Sequence, residues 1–537
     1  YLSAMYYMLA FNEKENIITY WDEPTITMDY TEHECHSIIQ KNWTENKIPN
    51  LVLSSATLPK MEELMDSITD FKCKFATNEP VSIFNILSSD CKKSVPIVNK
   101  YGYVVSPHNI SNDFYSTKQF VNHCKNNPVL MRYFDMCDIS KAIVHANTNN
   151  YTTKPVGRYF DSVKNITMQE IKIYYLDMLL AIKEPFWKQF YIETYNNREL
   201  AVSNYDASNQ LRKVKSMNNS STAMTSNDKD NTVFKRTVSM TFTDKKEDIV
   251  GTYISTKDSH TLTDGPTIYL SNEPEKIAKF CIQQANIPEI VMKELLQSIE
   301  FNNNLNEKID KIERDLEDAL PKENSTDSKH SGKQDKNTGD NTKKIDRLMS
   351  GNTSVAKLRE KLDLYRKMIK STQLNDTFVP NKKAHIDKWA NGANVSSAFT
   401  SSIDEEIIVK IMSLNDVSNS WKILLMLGIG VFTNHTSIDY TEIMKQLAEQ
   451  QRLYLIIASS DYIYGTNYQF CHGYISKNMN LSQEKLIQAI GRVGRNGIQQ
   501  KYTIRFRDDE PIFKLFTHEE NKPEVNNMNR LFNSYTV

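Results

Sequence analysis

Residues 16–25 read Asn-Ile-Ile-Thr-Tyr-Trp-Asp-Glu-Pro-Thr. The apolar run over 16–21 has the pattern of a strand buried on both faces, as strands of parallel sheets are. Two carboxylates, Asp22 and Glu23, follow it at once. A second run of this kind, Asn-Leu-Val-Leu at 50–53, leads into Ser55-Ala56-Thr57. Behind Pro59, the residues Met61, Leu64, Met65 and Ile68 recur at i, i+3, i+4 and i+7, and proline suits the first turn of a helix. Strands alternating with helices predict an α/β fold with a parallel sheet and crossover helices.

Outward from this stretch the grammar changes twice. Residues 1–100 continue the α/β pattern and open on a helical one (Leu2, Met5, Tyr6, Leu9). Residue 1 is Tyr, so the chain is expected to begin inside a larger protein. Residues 101–260 form a mostly helical insertion, with helices near 113–136 and 167–190 and a flexible polar loop at 206–232. The α/β pattern returns over 261–510. It includes strands at Thr267–Leu270, Ile423–Val431, Leu453–Ala458 and Tyr502–Phe506, and helices near 440–450 and 482–493. Within it, 288–420 holds a heptad-like run (Leu305, Ile309, Ile312, Leu316, Ala319) and a matching one (Val355, Leu358, Leu362, Tyr365, Ile369) around a disordered tip at 321–344. These two helices form either an antiparallel hairpin or separate struts packed on the body. Residues 511–537 are a C-terminal tail.

At 537 residues the chain exceeds one core, and its 39% hydrophobic content is enough for two to four domains. A net charge of −1 excludes a protein that is basic throughout, so any nucleic-acid contact must be local. The seven cysteines include no Cys-x-x-Cys pair, which argues against a zinc ribbon or a disulfide framework. His33, Cys35 and His36 are the tightest cluster of metal-type residues, but they lack a second half at finger spacing and read as a surface loop. No apolar run reaches the roughly 18 residues of a spanning helix. No signal peptide opens the chain. An intracellular, cytoplasmic protein without a membrane partner is expected.

The second informative stretch is Ser482–Arg495, SQEKLIQAIGRVGR. Ser482 suits a helix cap. At 100° per residue Gln488, Arg492 and Arg495 share one face, with Leu486, Ile490 and Val493 opposite. Gly491 and Gly494 would let another surface approach closely. Such a stripe could offer guanidinium groups to a polyphosphate. The same periodicity also describes a solvated basic face.

Gln488-x-x-Gly491-Arg492-x-Gly494-Arg495 resembles motif VI of the superfamily 2 DExD/H-box helicases, Q-x-x-G-R-x-G-R. Other pieces follow in the family's order. Asp22-Glu23-Pro24-Thr25 resembles motif II, although the family usually has Asp or His where Thr25 stands. Ser55-Ala56-Thr57 resembles motif III. Residues 424–435 and 456–468 resemble the approach to motif V and motif V itself. The DExH branch is the nearest in flavour, and the Asn-, Lys-, Ile- and Tyr-rich composition is similar to that of helicases from large nucleocytoplasmic DNA viruses. A viral protein would work in a cytoplasmic factory or the virion.

The resemblance implies two RecA-like lobes, 1–100 (partial) and 261–510, with the long insertions between and within them. It implies ATP as substrate and Mg²⁺ as cofactor, with Asp22 at the metal and Glu23 as the base for the attacking water. Gln488, Arg492 and Arg495 would complete the catalytic set, the arginines as fingers on the γ-phosphate. Ser55 and Thr57 would couple ATP state to the lobes, and Gly465 and Asn467 would lie near the nucleotide. Ser459, Ser460 and Asp461 would meet the nucleic-acid backbone. Ser459 and Asn467 stand where the family often has Thr and Asp.

No G-x-x-x-x-G-K-[ST] phosphate-binding loop occurs in the sequence. The family's loop precedes motif II by several tens of residues, and only 21 residues precede Asp22 here. Truncation is the expected reason, and the chain by itself is expected to hydrolyse ATP poorly. The expected partner is single-stranded or partly duplex RNA, with DNA as the alternative track. Protein partners would bind through the insertions. A non-catalytic scaffold on a helicase fold is the rival, against which the retained Glu23, Arg492 and Arg495 speak.

Overall fold

The computed structural model describes residues 1–76, 80–88, 92–198, 201, 254–319, 353–370, 373–390, 397–414, 416–463, 468–494 and 501–534. The loop expected at 206–232 and the tip expected at 321–344 lie outside these. The chain divides into two compact units. One comprises Tyr1–Lys60, Tyr253–Tyr502 and Arg530–Val537, and the other Met61–Thr252 and Thr503–Asn529. The fold is mixed α/β with mostly parallel strand pairing. No helix among the described residues is long and apolar enough to cross a membrane.

In the first unit, β1 (Ile18–Asp22) and β2 (Asn50–Ser54) pair in parallel, with Asp22 opposite Ser54. The Glu34–Thr44 helix makes the crossover between them. The Leu2–Leu9 helix closes a small core of Met5, Ile17 and Ile48, using Leu2, Met5 and Leu9 while Tyr6 stays exposed. Trp43 stacks on Phe532 at 4.6 Å. The expectation that the first strand is buried on both faces is corrected. Burial alternates along β1, and Ile18 and Tyr20 are 68% and 63% exposed.

The main sheet of this unit runs His472–Ile475, Thr267–Leu270, Leu455–Ala458, Ile429–Phe432 in spatial order, all parallel and all buried. The apolar runs at 267–270 and 455–458 therefore have a direct cause: central parallel strands are covered on both sides. One expected strand, Ile423–Val431, is two elements. Residues Asn419–Met426 are a helix, and the strand is Ile429–Phe432. Gly428 divides them at φ +78°, a left-handed conformation that glycine adopts without a Cβ clash. The Leu/Met-rich half went helical and the Ile/Val/Phe half became strand, as their side chains favour.

The heptad-like runs form an antiparallel hairpin of Glu289–Ala319 and Thr353–Met368. Ile309, Ile312 and Leu362 make its seam, with Leu316, Leu358, Tyr365 and Ile369 packed against them. Nearer the hairpin's base, Met292, Leu295 and Ile299 join the main core instead.

In the second unit, helices Phe114–Asn126, Met136–Thr148, Met168–Leu180 and Glu184–Asn196 gather around buried Tyr174, Tyr175 and Phe190. The helices expected near 113–136 and 167–190 are present, the first as Phe114–Asn126 followed by a 3-10 turn, Pro128–Tyr133. Ile97–Val98 pairs in parallel with Thr503–Phe506 and antiparallel with Val104–Val105. The helix read from Met61 starts as a 3-10 turn, Met61–Leu64, and becomes α-helical only over Met65–Lys74.

Candidate functional site

Asp22, Glu23, Ser55, Ser459 and Ser460 fall at the C-terminal ends of parallel strands, where α/β sheets place their ligands. Asp22 is the last residue of β1 and is exposed. Glu23 follows with φ +49°, its N–H bonded to the Ser54 carbonyl at 2.7 Å. Thr27, β-branched, is at φ +67°. Left-handed conformations at two non-glycine residues store strain in this loop, as functional loops often do.

Four side chains then form a directed hydrogen-bond chain. Ser55 Oγ donates its only proton to Glu23 Oε2 at 2.7 Å. Since that proton is spent, the 2.9 Å contact between Thr25 Oγ1 and Ser55 Oγ must have threonine as donor. Gln488 Nε2 donates in turn to Thr25 Oγ1 at 3.3 Å and to Thr57 Oγ1 at 2.6 Å. The Thr57 backbone N–H also reaches Ser55 Oγ at 3.3 Å. The polarity runs from the glutamine amide to the carboxyl group of Glu23. Gln488 Oε1 is buried without a hydrogen-bond partner. A buried acceptor left unmade is costly, so this atom is suited to a donor from a ligand.

The helix behind Gln488 spans Gln483–Ile490, capped by Ser482 Oγ on the Lys485 N–H at 3.1 Å. It ends sooner than the expected 482–493. Gly491 terminates it, and Gly494 turns at φ +76° with its N–H on the Phe470 carbonyl at 2.8 Å. Arg492 thus stands in the turn after the helix, not on its face. The glycines also serve another purpose than the one expected. A Cβ on Gly491 would lie 2.9 Å from the Ile487 carbonyl of its own helix, and Gly494 supplies a backbone conformation. The solvated-face reading fails for Gln488 and Arg492, which are 6% and 7% exposed. Every residue of this helix except Glu484 is buried, Gln488 on its intended polar side included.

Thr25 makes its link in this chain through a hydroxyl. Of the cluster expected to be a surface loop, His33 is an exposed helix cap, while Cys35 and buried His36 lie in the helix. His33 caps the Glu34–Thr44 helix, Nδ1 accepting from the Cys35 N–H at 3.1 Å, and buried His36 holds the Thr27 carbonyl at 2.9 Å. Ser459 and Ser460 follow the Leu455–Ala458 strand, half-buried, with Asp461 in the 3-10 turn Ser460–Ile463. Gly465, Asn467 and Arg495 lie outside the described residues.

No protein family matches the sequence, and no curated protein matches it significantly. The site must be judged on its own chemistry. Of the residues singled out in the sequence, the structure brings together Glu23, Ser55, Thr57 and Gln488, with Asp22 next to Glu23 at the strand end. It missed the pair Lys485 and Asp29, whose ammonium and carboxylate meet at 2.7 Å. No local signal announces a pair so far apart in sequence.

Proposed function

We propose that this chain carries most of the hydrolytic centre of a superfamily 2, DExH-type helicase or translocase, built on RecA-like lobes and acting on RNA. The observation that carries the reading is the directed chain from Gln488 through Thr25 and Ser55 to Glu23, because it joins three separate motif-like stretches in one site. Ser55 pins one oxygen of Glu23, which orients the other to accept a proton from a water nucleophile. The orphan Gln488 Oε1 offers an acceptor for that water's second proton. Arg492, buried beyond the helix end, supplies a guanidinium for charge developing on a transferred phosphoryl group. Asp22, exposed at the end of β1, has the donor chemistry for Mg²⁺, directly or through water. Bound Mg²⁺ would neutralise phosphate charge.

No G-x-x-x-x-G-K-[ST] phosphate-binding loop occurs in the sequence, so the proposed site is described without a phosphate cradle. Ser459 and Ser460, which follow their strand, would donate to a nucleic-acid backbone, a contact that is independent of base sequence.

The test is ATP hydrolysis by the protein expressed from its complete reading frame, with single-stranded RNA, single-stranded DNA or neither. Stimulation by RNA supports the reading, and stimulation by DNA alone would move the track to DNA. Strand binding without turnover would leave a scaffold on a helicase-like site.

A further inference from the structure

A buried cation stands where the fold gives it least reason to be. Lys485 lies in the first turn of the Gln483–Ile490 helix, its N–H on the Ser482 cap. Helix dipoles disfavour positive charge there. Its side chain is only 3% exposed, so water does little to screen it. The ammonium donates to Asp29 Oδ2 at 2.7 Å and to Tyr30 Oη at 3.2 Å, and it lies 4.7 Å from the centre of the Tyr30 ring. Burial favours the neutral amine, but the hydrogen bond and charge of Asp29, with Tyr30, outweigh it and hold the lysine above its usual range. Lys485 is therefore an ammonium in the folded protein.

What this pair joins decides its meaning. Asp29 and Tyr30 end the strained segment that begins at Glu23 and includes Thr25. Lys485 precedes Gln488 by one helical turn, on the same side of the helix. The ion pair therefore ties together the two stretches whose side chains meet in the Gln488–Thr25–Ser55–Glu23 chain. Buried ion pairs seldom add net stability over an apolar pair, yet they can specify which surfaces meet and in what register. A one-residue slip of this helix would leave an unpaired buried charge.

We propose that Lys485 and Asp29 are the positioning pair of this site, setting the register of the Gln488 and Arg492 segment against the Glu23 loop. The role rests on the hydrolytic reading above. Neither residue touches the reacting atoms, and each acts through the segment it holds.

The experiment compares the parent, Lys485→Met, Asp29→Asn and the reversed pair Lys485→Asp with Asp29→Lys, all in the complete reading frame. ATP turnover at saturating strand is measured together with hydrogen exchange over residues 23–30 and 483–490. The single variants should lose about 100-fold in kcat, the scale of a small misplacement, with the KM for ATP little changed. The reversed pair should recover most of that loss. Unchanged kcat in the single variants overturns the proposal, as does a loss that the reversed pair leaves in place. If the parent shows no turnover, the hydrolytic reading fails and exchange alone decides the pair. Faster exchange in both segments of the single variants, restored in the reversed pair, then supports a register-setting role, and unchanged exchange overturns it.

Discussion

Single side chains in this protein are defined by where their protons go. The hydroxyl of Ser55 can give its proton once, and Glu23 takes it, so the direction of every later bond back to Gln488 is set. His385 shows the same logic in the core. Its Nδ1 accepts from the Asn381 N–H at 3.4 Å and its Nε2 donates to the Ser255 carbonyl at 2.7 Å, which defines a neutral ring. Burial pushes its pKa below the usual imidazole range, against the opposing pull of the Ser255 carbonyl. The unfolded chain therefore binds a proton that the folded one refuses. This contribution to stability is complete above the ordinary value of about 6.5 and is lost as pH falls through and below it. Urea midpoints at about pH 7.5 and 5.5 should differ, with the lower value at acid pH. His385→Gln should start from a lower midpoint and show a smaller drop, and an undiminished drop would remove His385 as a source. Buried His108, in the other unit, is shifted in the same direction by desolvation and adds to the parent's slope.

At the scale of elements, legibility followed pattern length and failed where two periods overlap. Thr267–Leu270 was readable to the residue because a four-residue apolar run between turn signals fits a central parallel strand. The run from Ile423 to Phe432 was not, since a buried helix and a buried strand look alike until Gly428 divides them. The hairpin seam was readable from its 3–4 spacing, and its closure was not. Asn302, buried beside the seam, donates Nδ2–H to the Lys370 carbonyl at 2.9 Å and accepts the Lys370 N–H at 3.0 Å. This pair of bonds ties the start of the return helix's exit to the outgoing helix and sets the hairpin's register, as a buried polar residue can in a coiled coil. Asn302→Ala should cost about 1–3 kcal/mol, since two backbone groups lose their partner. Hydrogen exchange should rise along 303–316 and 356–370 while the main sheet keeps its protection. Equal loosening of both would show that Asn302 serves the core rather than the hairpin.

For the whole molecule, the candidate site was legible in its parts and illegible in its assembly. Asp22, Glu23, Ser55 and Gln488 announced themselves by strand ends and by motif spacing. The bonds that unite them span up to 463 positions, from Thr25 to Gln488, and no local pattern encodes such a meeting. Lys485 and Asp29 were invisible for the same reason, 456 positions apart. Where local rules did mislead, as with the helix expected to continue to 493, a glycine-dependent turn had replaced helical periodicity. The role proposed for Glu23, pinned by Ser55, is that of the base in nucleotide hydrolysis. Its most direct test is Glu23→Gln in the complete reading frame, measured as single-turnover ATP hydrolysis beside equilibrium nucleotide binding. Binding should persist while turnover falls by at least about 100-fold, as for loss of a general base. Turnover at the parent rate in Glu23→Gln would contradict it.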